Sequence, residues 1–100
     1  MAKPYYADYV NHILRFYFRY NFTKGFKNEV DKMNYTAADK VVQKLSSKDR
    51  SMLSEVFNLD GINLVDNIAT VAARRNEDST KLWSLVSTIT TKVAKERRLL

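Results

Sequence analysis

The fold is decided by residues 63–97, NLVDNIATVAARRNEDSTKLWSLVSTITTKVAKER. Apolar residues recur there every three or four positions, in two runs separated by the polar segment 76–79. That period is typical of amphipathic helices, each of which buries one face. Asn63 is predicted to cap the first of these helices, and Asp78 or Ser79 the second. The predicted buried face of the second helix consists of Leu82, Leu85, Val86, Ile89 and Val93.

Two helices are predicted in the N-terminal part of the chain. The first spans about Pro4 to Tyr20, because Pro4 suits the first helical position and apolar residues follow at helical spacing. The second is predicted from Thr36 to Leu45. Thr36 stands three residues before Asp39, a spacing that resembles a capping box with Asp in place of Glu.

A further helix is predicted between these and the C-terminal pair. It begins near Ser46 and ends before Gly61, a residue that readily takes the positive φ found just past many helix ends. The pattern leaves open whether residues 27–33 are helix or loop. Two glycines and one proline in 100 residues are few for an all-β domain. We therefore expect one all-α domain, a compact bundle of about five helices.

The residue types argue against enzymatic chemistry and against a bound metal or cofactor. The absence of cysteine excludes disulfides and thiolate zinc sites, and His12 is the only histidine. The acidic residues are scattered singly, and no nucleophile elbow, P-loop or dinucleotide fingerprint occurs. We expect no catalytic residue, no metal, no cofactor and no small-molecule substrate.

The same sequence predicts a cytoplasmic protein that does not enter a membrane. Asp8 and Arg15 interrupt the first apolar stretch, which argues against a signal peptide. No run of about 18 apolar residues occurs, so no membrane-spanning helix is expected. The lack of cysteine also agrees with a reducing compartment.

The charge distribution indicates an anionic partner. The formal net charge is +6, of which residues 1–50 contribute +5 and residues 51–100 contribute +1. Residues 47–91 alone carry five basic and six acidic side chains, fewer cations than a strong DNA-binding module usually has. The charge fits a polyanion-binding protein, and it also fits a soluble protein with a generally basic surface.

Nine of the twelve aromatic residues precede residue 27. They could form the core, stack on nucleic acid bases, or make a contact between two subunits. A stripe this broad is hard to cover within 100 residues, so we favour a subunit contact and hence a homodimer. The predicted interface consists of Tyr5, Tyr9, Phe16, Phe18 and Tyr20.

A polar row lies opposite the apolar face of the last helix. An α-helix fits the DNA major groove, where lysine and small hydroxyl residues contact phosphates and base edges. A solvated helix face would explain the same pattern. The predicted DNA-binding residues are Lys81, Ser84, Thr88, Lys92 and Lys95, with Arg74 and Arg75 from the preceding helix. Thr91 belongs to the same predicted row.

Residues 46–100 resemble the fourth conserved region of bacterial sigma factors and the small phage or mobile-element regulators that look like it. The segment FNLDG at 57–61 is similar to the aromatic-then-Leu-Asp-Gly turn of that family. Residues 64–69 resemble its supporting helix, and Asp78-Ser79 followed by Lys81, Leu82 and Val86 resembles the start of its recognition helix. The family's opening helix is matched by Leu45, Lys48, Asp49, Arg50, Met52 and Leu53.

The resemblance implies a helix-turn-helix half at 46–98 beside an aromatic-rich helical half at 1–45. It also implies a DNA-binding accessory or regulatory protein that acts in transcription. The segment between Ala69 and Ser79 is longer than the family's tight turn, and residues 1–45 do not resemble a sigma factor's polymerase-binding region. The alternative is a helical protein-interaction module or phage structural component that uses its aromatic surface.

Overall fold

The computed structural model describes residues 5–20, 24–60 and 63–100. Within these ranges the chain forms five α-helices and no strand, which confirms the all-α prediction. The predictions for Pro4 and Gly61 lie outside the described residues. The five helices are α1 (Ala7–Phe18), α2 (Glu29–Val42), α3 (Ser47–Asn58), α4 (Leu64–Arg75) and α5 (Ser79–Glu96).

Three of the predicted helix starts are confirmed by side-chain caps. The Ser46 hydroxyl accepts a hydrogen bond from the backbone N–H of Asp49 at the start of α3. Asn63 caps α4, and Asp78 caps α5 by accepting from the N–H of Thr80 at 2.8 Å. Each cap satisfies a backbone donor that the first turn of a helix leaves without a partner.

The predicted start of α2 at Thr36 is wrong. The helix begins at Glu29, and its cap is Asn28, whose side chain accepts from the N–H of Asp31. Thr36 lies inside the helix, where its hydroxyl donates to the carbonyl oxygen of Lys32. The first half of α2 buries Asn34 and leaves its large apolar residues, Val30 and Met33, exposed, and this is why the sequence does not show an apolar helical period there.

All five helices contribute to one core. Helix α5 packs against α1, α2 and α4, while α1 also packs against α2 and α3, and α3 against α4. The buried side chains come from both predicted halves of the chain, so residues 7–42 and 47–96 fold around the same centre. The largest fully buried side chains are Phe57, Ile13, Leu14, Leu53, Ile68, Leu82 and Ile89.

Helices α4 and α5 are joined by a short turn. Asn76 takes the left-handed conformation (φ 54°) just past α4, and the N–H of Glu77 donates to the carbonyl oxygen of Ala72 at 2.9 Å. Asp78 then caps α5. The three residues 76–78 therefore close one helix and open the next.

Candidate nucleic-acid interface

The outer face of α5 consists of exposed polar side chains on the side of the helix opposite the core. Its inner face is buried, with Val86 3% exposed and Ile89 and Val93 fully buried. The row spans about 21 Å from its first to its last member at the usual helical rise. Its members are Lys81, Ser84, Thr88, Lys92 and Lys95, all exposed.

Thr91 does not belong to this outer face. It is half-buried, and its hydroxyl lies 3.5 Å from the hydroxyl of Tyr6, the residue that precedes α1. Helix α1 therefore covers one flank of α5 and leaves the outer face open. Among the described residues, the aromatic side chains of the N-terminal part leave Lys81, Lys92 and Lys95 exposed.

Arg74 and Arg75 are engaged within the fold. The Arg75 Nε donates to a carboxylate oxygen of Glu55 at 2.9 Å, and Arg74 donates to the other oxygen at 3.4 Å. Arg75 also donates to the Ser51 hydroxyl. The hydrogen bond from Arg75, aided by Arg74, lowers the pKa of the Glu55 carboxyl. These two arginines link α4 to α3, and part of their charge is neutralised there.

The first turn of α5 is surrounded by both acidic and basic side chains. The Lys48 ammonium group lies 2.5 Å from a carboxylate oxygen of Glu77, and its hydrogen bond and charge lower the Glu77 pKa. Lys81 adds a smaller effect of the same sign. Asp49 and Asp78 line the same shallow pocket as Lys81. The positive potential is therefore weak at this end of the outer face.

The last two turns of α5 lie in a basic environment. Lys92 and Lys95 share a shallow pocket with Lys44, which follows the end of α2. A second groove between α2 and the end of α5 is lined by Lys32, Lys40, Arg97 and Arg98 together with Glu29 and Glu96. The positive charge of α2 and α5 thus meets at one side of the molecule.

The lysines of α2 and of the residues just after it were not among the residues predicted from the sequence to bind DNA. Lys32 and Lys40 are eight residues apart, which places them on one side of a helix that starts at Glu29, and Lys44 follows the end of that helix. A helix that starts at Thr36, as the sequence predicts, does not include Lys32. The Asn28 cap was the signal that would have revealed this basic side of α2.

Three of the five aromatic residues predicted to contact a second subunit pack within the chain. Phe18 is half-buried and stacks on Phe57 with ring centroids 6.0 Å apart. Phe16 and Tyr20 are half-buried and pack against Phe26. They belong to a ring cluster that joins α1, α2 and α3, and little of their surface is left for a partner.

Tyr5 and Tyr9 are the more exposed members of the predicted interface. Tyr5 is 80% exposed, and its hydroxyl donates to the carbonyl oxygen of Leu99. Tyr9 is 37% exposed and hydrogen-bonds to the buried side chain of Asn34, while its ring stacks with His12. Helix α1 thus offers a narrower apolar surface than its sequence predicted.

One tyrosine of the ring cluster has a specific polar partner. The Tyr17 hydroxyl donates to the Asp39 carboxylate at 2.7 Å. Burial raises the pKa of the Tyr17 phenol, and the hydrogen bond and charge of Asp39 raise it further. Gln43 also donates to Asp39, at 3.0 Å. This network joins α1 to α2 away from the outer face of α5.

An uncharged groove of about 290 Å³ lies on the flank of α5 that carries Thr91, between α5, α4 and the start of α1. Trp83 and Val86 of α5, Leu64 and Val65 of α4, and Tyr6 line it together with hydroxyl and amide groups. Trp83 is half-buried in this groove rather than on the outer face.

In the portion of the chain that the structure describes, no group of three or more metal-ligating side chains is placed to hold a metal ion. Across the same residues, no helix combines the length and apolar character needed to cross a bilayer. No protein-family model, curated protein or solved structure matches the chain.

Proposed function

We propose that this chain is a non-enzymatic protein that binds duplex DNA with the outer face of α5, as an accessory or regulatory protein of the phage or mobile-element type in the cytoplasm. The observation that carries the proposal is the uncovered row from Lys81 to Lys95. One helix presents three lysines and two hydroxyl residues to solvent, while its opposite face is held rigidly in the core. An α-helix is narrow enough to lie in the major groove of DNA, and these side chains can contact phosphates and base edges there.

The connection between α4 and α5 supports the same proposal. Helix-turn-helix motifs join their two helices by a turn of about three or four residues. Residues 76–78 form a turn of that length, with Asn76 in the left-handed conformation. In this proposal α5 is the recognition helix and α4 supports it. The resemblance of residues 46–100 to the fourth region of sigma factors assigns the same roles.

The charged groups near each basic residue of this surface determine how strongly that residue is expected to bind DNA phosphates. Because Lys92 and Lys95 lie in a basic environment, they are expected to hold phosphates most strongly. Lys81 is close to Glu77, and Arg74 and Arg75 hydrogen-bond to Glu55, so these three contribute less. Ser84 and Thr88 lie between the lysines and are the proposed base-edge contacts.

A homodimer through α1 stays a separate prediction. It now depends on Tyr5 and Tyr9, since the other three aromatic residues pack inside the chain. A two-fold pair of α5 helices would read two half-sites on the duplex. DNA binding by α5 does not require that pair.

The proposal is tested by measuring the affinity of the wild-type protein for random duplex DNA by fluorescence anisotropy over a series of salt concentrations. We expect the logarithm of the affinity to fall linearly with the logarithm of salt, with a slope of about −2 to −4 for two to four phosphate contacts. Affinity that does not change with salt, or no binding at low salt, would exclude the proposal.

A further inference from the structure

Three lysines, one just past the end of α2 and two from α5, surround one shallow pocket, which we call the lysine seam. Lys44 follows the end of α2, and Lys92 and Lys95 belong to the outer face of α5. The pocket has a volume of about 240 Å³, and its apolar lining comes from Val41 and Leu45. All three lysines are exposed, so their ammonium groups are open to a ligand from solvent.

The packing of the two helices brings these lysines together. Arg97 at the end of α5 donates to Asn34 near the start of α2, whereas Lys92 and Lys95 lie beside the end of α2. The helices therefore run antiparallel. The two helices are in contact, and Val41 and Val42 of α2 belong to the same buried core as Val93 and Ala94 of α5. The position of Lys44 beside α5 follows from this core.

The positive charge of the lysine seam is not neutralised by ion pairs. Within the described ranges, the cations paired with carboxylates are Arg19, Lys48, Arg74 and Arg75. Lys44, Lys92 and Lys95 have no carboxylate within 4.0 Å in the described chain. Glu96 is the one acidic residue that lines the pocket. Like charges held close repel one another, and a bound anion would relieve that repulsion.

We propose that the lysine seam binds the phosphate groups of a nucleic-acid backbone, with Lys44 as a contact from outside the helix-turn-helix half. The inference rests on the proposed function, because Lys92 and Lys95 belong to both the outer face of α5 and the seam. A duplex that lies along α5 brings its backbone over these two lysines and against Lys44. The N-terminal half of the chain thereby adds phosphate affinity that residues 47–91 lack.

The test compares two variants that each remove one exposed lysine charge. Lys44→Gln changes the seam, and Lys27→Gln changes a lysine beyond the other end of α2, a helix about 20 Å long. If Lys44 contacts one phosphate, Lys44→Gln should reduce the salt slope for duplex DNA by about 0.9 and weaken binding about 8-fold at 0.1 M salt. Lys27→Gln should change affinity less than about 2-fold.

Glu96→Gln provides a test in which the expected result is a gain of affinity, and damage to the fold could not produce such a gain. Because Glu96 is the carboxylate beside the seam, its neutralisation should strengthen DNA binding about 2- to 4-fold. A loss of stability would not strengthen binding. Unchanged or weaker binding by Glu96→Gln, or equal effects of Lys44→Gln and Lys27→Gln, would overturn the seam as a phosphate site while DNA binding by α5 stands.

A titration without DNA separates the two proposals. Inorganic tripolyphosphate is added to the ¹⁵N-labelled wild-type protein, and the amide signals of residues 44, 92 and 95 are followed. If these signals shift and the wild type does not bind duplex DNA, the proposed function fails and the seam stands as a phosphate site. If neither tripolyphosphate nor DNA affects them, both proposals are overturned.

Discussion

Reversing the charge of both Lys92 and Lys95 with glutamate should weaken the binding of duplex DNA at least about 60-fold at 0.1 M salt. Each lysine that neutralises a phosphate contributes a salt slope of about −0.9, so losing two contacts removes about −1.8 from the slope. Both side chains are exposed and lie opposite the buried face of α5. The change therefore removes affinity with little effect on packing.

The matched control is the double variant Lys24→Glu with Lys27→Glu. It makes the same change in net charge at two exposed lysines that lie before α2. If net charge alone governed binding, both double variants would lose affinity equally. That equality would contradict the assignment of the outer face, whereas a loss confined to the Lys92 and Lys95 variant supports it.

The largest expected effect on stability comes from Phe57→Ala. Phe57 is 1% exposed and stacks on Phe18 with an angle of 9° between the rings. The Arg19 Nε also donates to its carbonyl oxygen, so this residue ties α3 to α1. Truncating a buried phenylalanine leaves a cavity and costs about 3–5 kcal/mol, a large fraction of the 5–15 kcal/mol that holds a domain folded.

Urea denaturation followed by the fluorescence of Trp83, the only tryptophan, measures this loss. Phe26→Ala is the control, because Phe26 is 37% exposed and should cost only about 1–2 kcal/mol. A loss below about 1.5 kcal/mol for Phe57→Ala would mean that the ring is not part of a packed core.

The elements that the sequence predicted well are those with large apolar residues and strong caps. Helices α3, α4 and α5 have both, with Ser46, Asn63 and Asp78 at their starts. The start of α2 was predicted wrongly because the residue that its first half buries is Asn34, which is not apolar. The spacing rule recognises apolar residues, and it does not anticipate a buried asparagine that is satisfied by Tyr9 and Arg97.

The outer face of α5 could be predicted from the sequence, because helical spacing alone places its lysines on one side. The pairing of the charged residues around this face could not be predicted from the sequence. Whether a cation is free or paired depends on contacts between helices distant in sequence, as for Arg75 with Glu55 and Lys48 with Glu77. The proximity of Lys44 to Lys92 likewise follows from the packing of α2 on α5.

The contacts of the aromatic residues likewise could not be predicted from the sequence. Their number suggested more apolar surface than the chain could cover, yet Phe16, Phe18 and Tyr20 pack against rings of α2, of α3 and of the segment before α2. The composition gives the number of aromatic residues, but it does not show how many of their rings contact one another in the folded chain. The clustering of Tyr17, Tyr20 and Tyr35 became evident only from the folded chain.

The central claim, that the outer face of α5 lies against DNA, is tested most directly by NMR. The ¹⁵N-labelled wild-type protein is titrated with a random duplex of about two helical turns. We predict that the largest changes in amide signals lie between Lys81 and Lys95, with Ser84 and Thr88 among them. Changes confined to α1 and α3, with the α5 signals unmoved, would contradict the account.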